Sequence, residues 1–309
     1  MKYYRFKTFR TSYYFPKTDS RSRFLYGVYH PYGSLLVKLY WKLFTSCKWI
    51  RSLSAKEESQ LDFPYRAIMR LCPSNAIVSF NLGTPGDEQK ISMLGYIPEE
   101  DKSFFAKYST KEKAKALSRN EIRVLRELES KNLSPVLFDV KDNDEEVFFV
   151  TSRVCGKAYA SFELSEQILD ILISLGSVRL EDDSISELAT CLSHGDFCPW
   201  NMLQNGTEIR LIDWEMAANR PLGYDLFMFI IHTHLVMGGD DKEVLELLKK
   251  DIHYISKYFQ TFNISDYHPY LFSFLTLRIR EEQEKNHLQM VERYQKILSK
   301  IKGQKSEWI

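Results

Sequence analysis

The sequence has little that would hold it outside a cell or within a bilayer. Its five cysteines (Cys47, Cys72, Cys155, Cys191 and Cys198) are odd in number, scattered, and without paired metal-ligand spacing. That pattern argues against a disulfide framework or a zinc site and for a reducing compartment. No run is long and apolar enough to span a bilayer. The opening residues M-K-Y-Y-R-F-K-T-F-R lack the apolar core of a signal peptide. The expectation is therefore a cytoplasmic protein, in which the sequons at Asn132, Asn205 and Asn263 carry no weight. Internal repeats, a low-complexity linker and the G-x-G-x-x-G phosphate loop are also missing. What remains is a chain of 309 residues, 44% hydrophobic and 27% charged. It is long enough for two lobes or one large domain of ordinary globular composition.

A net charge of +1 conceals an asymmetry. Residues 1–56 hold twelve Lys or Arg against one acid, Asp19, a local +11, so the rest carries −10 by difference. The same stretch is rich in aromatics, from Tyr3 and Tyr4 to Trp41 and Trp49. Residues 1–32 have turn signals at Pro16, Gly27, Pro31 and Gly33 but no clear regular structure. From Ser34 to Ser52 the pattern is helical, with Leu36, Leu39, Tyr40, Leu43, Phe44, Cys47 and Ile50 on one face. Residues 1–59 thus read as a basic, aromatic extension whose helix either packs on the body or lies on an anionic membrane. Nothing in it matches a nucleic-acid recognition motif, so no nucleic-acid partner is expected.

Three strand signals follow, at Ala76–Leu82, Gln89–Ile97 and Ser103–Tyr108, with a Gly83–Gly86 turn between the first two. A helical stretch runs over Lys111–Ser130, then Val136–Val140 and Val147–Thr151 read as a hairpin. Three strands, a helix and two strands is the order of a kinase small lobe, here placed at residues 60–155. Residues 156–309 turn mainly helical, with long amphipathic segments at Lys242–Phe259 and Tyr270–Ile301. The fold class expected is α+β, bilobal and protein-kinase-like, with a small antiparallel-sheet N-lobe and a helical C-lobe.

Chemistry concentrates between Leu192 and Glu215. His194–Asn201 reads H-G-D-F-C-P-W-N, and Asp213 follows in L-I-D-W-E. An Asp, an Asn five residues later and a second Asp beyond a short apolar strand suit phosphoryl transfer. One carboxylate orients the attacking hydroxyl, while an amide and the other carboxylate hold magnesium. Asp196 is the candidate base, Asn201 and Asp213 are the candidate metal ligands, and His194 is the candidate loop support. Lys107, ending the strand S-F-F-A-K, could reach nucleotide phosphates with Glu121 as its partner on the following helix. Gly83 and Gly86 could let backbone amides approach those phosphates, or form a plain hairpin turn. Cys198, Pro199 and Trp200 read as loop packing, and Glu215 as a metal or acceptor contact or a solvated turn residue. Asp225 reads as an N-cap or as a brace for the catalytic loop. His232 and His234, two apart on one helix, point in different directions and are not expected to share a metal.

These residues resemble the aminoglycoside phosphotransferase and choline kinase superfamily, over Leu192–Phe229 closely and over Ala76–Gly156 more loosely. The resemblance implies ATP or GTP as donor, Mg2+, and a small hydroxyl-bearing acceptor. By the same resemblance Asp196 is the base, Lys107 contacts phosphate, and Thr151–Cys155, Arg153 included, form the adenine-side hinge. The form H-G-D-F-x-P-W-N is similar to kinase-like proteins of cell-surface polysaccharide assembly. That similarity and the basic N-terminal stretch favour a sugar or glycolipid acceptor met at the inner membrane face. An amino alcohol such as choline, a thiamine or an aminoglycoside is the alternative acceptor; rings of Tyr254, Tyr258, Tyr267 and Tyr270 would then serve as a cation cage. A non-catalytic binding protein of the same fold is the alternative of another class.

Overall fold

In the computed structural model, residues 1–8, 10–17, 25, 35–181 and 187–303 are described. The chain divides into two compact units, Met1–Val154 and Cys155–Ile309. The first is built on one antiparallel sheet. Its strands are β1 (Lys2–Lys7), β2 (Ser12–Pro16), β3 (Ala55–Glu57), β4 (Ile77–Asn81), β5 (Ile91–Ile97), β6 (Lys102–Ser109), β7 (Leu137–Asp142) and β8 (Val147–Ser152), in the order β3-β1-β2-β4-β5-β6-β8-β7.

The sheet therefore runs across the boundary expected at residue 59. β2 pairs with β4, Tyr13 opposite Asn81 and Tyr14 opposite Phe80. The described aromatics of the first sixteen residues are core, not an arm. Period-two alternation sends Tyr3 and Tyr14 to one face, with Phe80, Met93, Phe104 and Phe148, beneath helix α3 (Tyr65–Leu71). Tyr4, Phe6, Tyr13 and Phe15 go to the opposite face with Leu94. There they meet helix α1 (Leu35–Ser46), which is followed by α2 (Lys48–Leu53).

The predicted helix over Ser34–Ser52 is thus two helices, and its packing face differs from the expected one. Phe44 is the buried residue of α1, with Val37 and Trp41 beside it, whereas Leu36, Leu39 and Leu43 stay exposed. Aromatic rings, wider than leucine, fill the space over Phe6 and Phe15: Trp41 lies 4.9 Å from Phe6 and 5.5 Å from Phe15, centroid to centroid. Arg51 donates to the carbonyls of Phe44 and Thr45 at 3.0 and 2.6 Å, closing the α1 C-terminus. The turn signals at Gly27, Pro31 and Gly33, Asp19 and the helix start at Ser34 fall outside the described residues.

From β4 onward the expected element order is present. Helix α4 (Glu112–Glu127) lies between β6 and β7, buries Ile122, Val124 and Leu125, and gives way to a 3-10 turn and a left-handed Asn132.

The second unit is mainly helical. Its helices are α5 (Glu166–Gly176), α6 (Tyr224–Phe227), α7 (Thr233–Val236), α8 (Val244–Lys250), α9 (Ile252–Thr261), α10 (His268–Glu284) and α11 (Leu288–Gly303), with one π turn at Met228–His232 between α6 and α7. Five short strands accompany them: β9 (Lys157–Ala158), β10 (Thr190–Ser193), β11 (Met202–Asn205), β12 (Glu208–Leu211) and β13 (Ala218–Pro221). Both long amphipathic segments are interrupted. The first breaks at Asp251; the second breaks where Asn286 adopts φ +57°, a conformation asparagine tolerates better than most side chains. Among the described residues no helix is long and apolar enough to cross a membrane. An antiparallel-sheet unit followed by a mainly helical unit gives the chain its expected α+β make-up.

Candidate active site

In the first unit, β6 carries Lys107 opposite Ser92 and Phe149. Its ammonium donates to both carboxylate oxygens of Glu121 on α4, at 3.0 and 2.7 Å, with both residues buried. A lysine inside a sheet core is tolerated because this bidentate partner offsets its desolvation. The loop between β4 and β5 is tied down locally. Asn81 Oδ1 accepts from Gly83 N at 3.1 Å and from the Thr11 hydroxyl at 2.9 Å. Gly83 sits at φ +68°, where a Cβ would lie 2.4 Å from the Lys90 carbonyl. A Cβ at Gly86 would meet nothing within 4 Å, so this stretch of backbone is open to a close ligand. Lys111 donates to the Gly86 carbonyl at 2.6 Å. Thr151 is buried in β8 opposite Phe105. Arg153 and the exposed Cys155 follow at the passage from the first unit to the second.

In the second unit, β10 leads into the loop His194–Cys198, and a 3-10 turn over Pro199–Asn201 returns the chain into β11. Gly195 takes φ +82°, and a Cβ there would lie 2.3 Å from the Met216 carbonyl. Only glycine allows the loop to lie so close to the turn after Asp213. Asp196 is partly exposed. Its Oδ2 accepts from Asn201 Nδ2 at 2.8 Å and from Trp200 Nε1 at 3.4 Å. Asn201 Nδ2 donates as well to the Asp196 carbonyl at 2.9 Å. Since that carbonyl can only accept, the amide orientation is settled, and Oδ1 of Asn201 is directed elsewhere. Trp200, expected as packing, thus also holds the Asp196 carboxylate; an indole N–H four residues beyond an acid was the available signal.

The β11–β12 hairpin brings Asn201 and Asp213 together. Met202 pairs with Leu211, and Ile212 N donates to the Asn201 carbonyl at 2.9 Å. Both candidate ligands therefore emerge from the same end of one two-stranded ladder. Asp213 is exposed at φ +68°, a left-handed conformation that aspartate tolerates better than branched residues. Carboxylate oxygens of Asp213 and Glu215 lie within 4.8 Å of each other. An amide oxygen and two carboxylates are hard donors that suit Mg2+.

His194 is buried and takes no place on the reacting surface. Its Nε2 is 3.0 Å from the Ile212 carbonyl, its Nδ1 accepts from Asp196 N at 3.3 Å, and its ring packs 4.5 Å from Trp214. The pairing with a carbonyl fixes the proton on Nε2. These contacts make it a positioning residue that ties the loop bearing Asp196 to the strand leading into Asp213.

Asp225 is the brace, not the N-cap: α6 has Gly223 at its N-cap position with no side-chain bond. Its carboxylate accepts from the Ser193 hydroxyl at 2.7 Å, His194 N at 2.7 Å and Gly195 N at 3.2 Å. Burial pushes its pKa up, while His194 and Ser193 pull the other way. Asp225→Ala leaves the buried His194 N–H without a partner and the Ser193 hydroxyl without its acceptor, each costing about 1–3 kcal/mol. Urea denaturation at neutral pH should therefore show a loss on the order of 3 kcal/mol; wild-type stability would remove the brace.

Further out, Arg220 donates to the Met216 carbonyl at 2.9 Å and to Glu281 at 3.2 Å. Glu281 also accepts from Tyr224 and Arg278, at 2.8 and 2.6 Å. Burial opposes its ionisation, yet Arg220 and Arg278 hold its pKa below the usual carboxylate range. Burial pushes the Cys198 thiol up and holds Cys191 at about 12, so neither serves as a nucleophile. His232 and His234 go separate ways, to the Tyr294 hydroxyl at 2.7 Å and the Asp240 carbonyl at 3.1 Å. The tyrosines suggested as a cation cage are largely packing residues. Tyr258 and Tyr270 are buried, and Tyr267 lies against Phe259.

Residues 178–255, which include this loop and hairpin, match the sequence model of the phosphotransferase enzyme family. The match covers about a quarter of the chain. Among solved structures, the chain is similar to an amicoumacin kinase in complex with AMP-PNP, Ca2+ and Ami (14% identity, 64% of this chain and 78% of that one, TM-score 0.46). A second is a type VIII aminoglycoside-3'-phosphotransferase (14%, 68% and 95%, 0.46). A third is aminoglycoside phosphotransferase APH(3'')-Id from Streptomyces rimosus (15%, 54% and 82%, 0.40). No curated protein matches the chain. Within the matched segment lie Asp196, Asn201, Asp213 and Asp225, so the residues with the closest mutual geometry are also those the family model covers.

Proposed function

We propose that this phosphotransferase moves the γ-phosphoryl group of ATP or GTP to a hydroxyl of a sugar or glycolipid, in the assembly of a cell-surface polysaccharide. The observation that carries the reaction is the Asp196 carboxylate, held by Asn201 and Trp200 at one end of the hairpin that presents Asp213. Asp196 orients the acceptor hydroxyl and takes its proton as the oxygen attacks phosphorus. Asn201 Oδ1 and Asp213 would hold a magnesium ion, with Glu215 within reach of Asp213. Such an ion would supply positive charge for the nucleotide phosphates. Lys107, kept extended by Glu121, binds α- and β-phosphate oxygens. The open backbone at Gly86 suits a phosphate approach, and Thr151, Arg153 and Cys155 supply the adenine side.

A sugar or glycolipid acceptor is supported by the H-G-D-F-C-P-W-N form of the loop and by the basic N-terminal stretch, whose lysines suit an anionic lipid surface at the inner face of the membrane. A binding protein without catalysis would be expected to have lost one of the base or metal residues. Lys107, Glu121, Asp196, Asn201 and Asp213 are all present.

The test is an acceptor panel of sugars, glycolipids, choline, thiamine and aminoglycosides with labelled ATP or GTP. Magnesium-dependent label transfer to a sugar or glycolipid, abolished in Asp213→Ala, is the expected result. Transfer only to choline, thiamine or aminoglycosides would refute the acceptor. Nucleotide binding without any turnover would refute the enzyme.

A further inference from the structure

Helix α1 is apolar on two sides, and only one is covered. Val37, Trp41 and Phe44 seat it on Phe6, Tyr13 and Phe15 of the sheet. At 100° per residue, Leu35, Leu36, Leu39, Tyr40 and Leu43 occupy a separate arc of about 140°. Leu35 and Leu36 are 81% and 76% exposed, and Leu39 and Leu43 are also exposed. The next turns add Trp49 and Leu53, exposed by 70% and 72%. No other part of the described chain collects so many exposed large apolar side chains in one short segment. Scattered surface leucines need no explanation, whereas a contiguous patch of this kind does.

The charge around the patch selects its occupant. Between Leu35 and Leu53 there is no acid, and Lys38, Lys42 and Lys48 are exposed. Lys38 and Lys42 fall at one border of the apolar arc, with Thr45 and Ser46. A second copy of the chain docking on this face would bring like charges together. Anionic headgroups would neutralise the lysines while the leucines enter the acyl boundary, with Trp49 and Tyr40 at headgroup depth.

We infer that the outer face of α1 is a docking surface for an anionic lipid bilayer. This narrows the membrane contact of the functional reading above, on which it rests for the site of action, from residues 1–56 to one helical face. The aromatic strands β1 and β2 are excluded, because their rings are already buried in the sheet.

Deleting residues 1–56 would remove two strands and most of a third from the sheet, so exposed positions are changed instead. The full chain should co-sediment with phosphatidylglycerol-containing vesicles at low salt and only weakly with pure phosphatidylcholine. Leu36→Gln/Leu39→Gln/Leu43→Gln should lower partitioning at least about tenfold. Lys38→Gln/Lys42→Gln/Lys48→Gln should lower it about a hundredfold and flatten its salt dependence. Circular dichroism and magnesium-dependent nucleotide hydrolysis should be unchanged in both. Equal sedimentation of the leucine variant and wild type would overturn the proposal. So would a wild-type dimer in solution that the leucine changes dissociate. Absence of hydrolysis in every form, with vesicle binding intact, would instead count against the phosphotransferase reading alone.

Discussion

Asp196→Asn is expected to lower phosphoryl transfer by about two to four powers of ten, the range for removal of a general base. Nucleotide affinity and thermal stability should be close to wild type. The geometry separates these effects. Both N–H donors that hold the side chain, Asn201 Nδ2 and Trp200 Nε1, converge on Oδ2. A carboxamide can offer its own oxygen at that position, so the loop keeps its anchor. What it cannot offer is a basic oxygen for the acceptor hydroxyl. The informative measurement is therefore a split: turnover falls while the binding of a fluorescent nucleotide analogue does not. Near-normal turnover would take the proton-accepting role away from Asp196. A matched loss of turnover and stability would make its role architectural.

The second large effect concerns Lys107. Lys107→Met removes an ammonium that two carboxylate oxygens approach at 3.0 and 2.7 Å, and leaves Glu121 charged and buried. Breaking such a pair from one side costs about 3–5 kcal/mol, most of it the penalty on the abandoned charge. Lys107→Met/Glu121→Leu should recover a large part of that stability, because both charges then leave the core together. Nucleotide affinity should not recover. With one charged hydrogen bond to phosphate lost, it should stay weakened by about tenfold or more in both variants. Chemical denaturation and nucleotide titration, each done below the melting transition, read the two quantities independently. Unchanged affinity and turnover in the double variant would mean that a different lysine serves the phosphates.

How much of this was legible in the sequence depends on how local the determinant was. The His194–Asn201 loop was legible because glycine, proline and asparagine at fixed spacing set a turn with little outside help. The Lys107–Glu121 pair followed from strand and helix periodicity, since one lysine at a strand end and one acid on a half-apolar helix face had few other partners. Asp225 was harder: an acid before an apolar helix normally caps it, and only the tertiary approach of β10 gives its carboxylate three other donors. The breaks at Asp251 and around Asn286 were missed because amphipathic period survives an interruption of one or three residues. The first sixteen residues misled for a different reason. Alternating tyrosine and phenylalanine with interspersed lysine and arginine looks like an exposed basic arm when read alone. It becomes a strand covered on both faces only once β4 and two separate helices are known to flank it.

That placement has a consequence for how the chain is made. β1 and β2 leave the ribosome well before β4, the inner neighbour of β2, whose last residue is Asn81. Until then the six large rings Tyr3, Tyr4, Phe6, Tyr13, Tyr14 and Phe15 have only each other, α1 and the α3 segment for cover, and the inner edge of β2 stays unpaired. A nascent hairpin of this kind is marginal in water and offers an open edge to other chains. Recombinant production should therefore be most prone to inclusion bodies when translation is fast or when a bulky partner is fused ahead of the first strand, and more forgiving at low temperature with a holdase present.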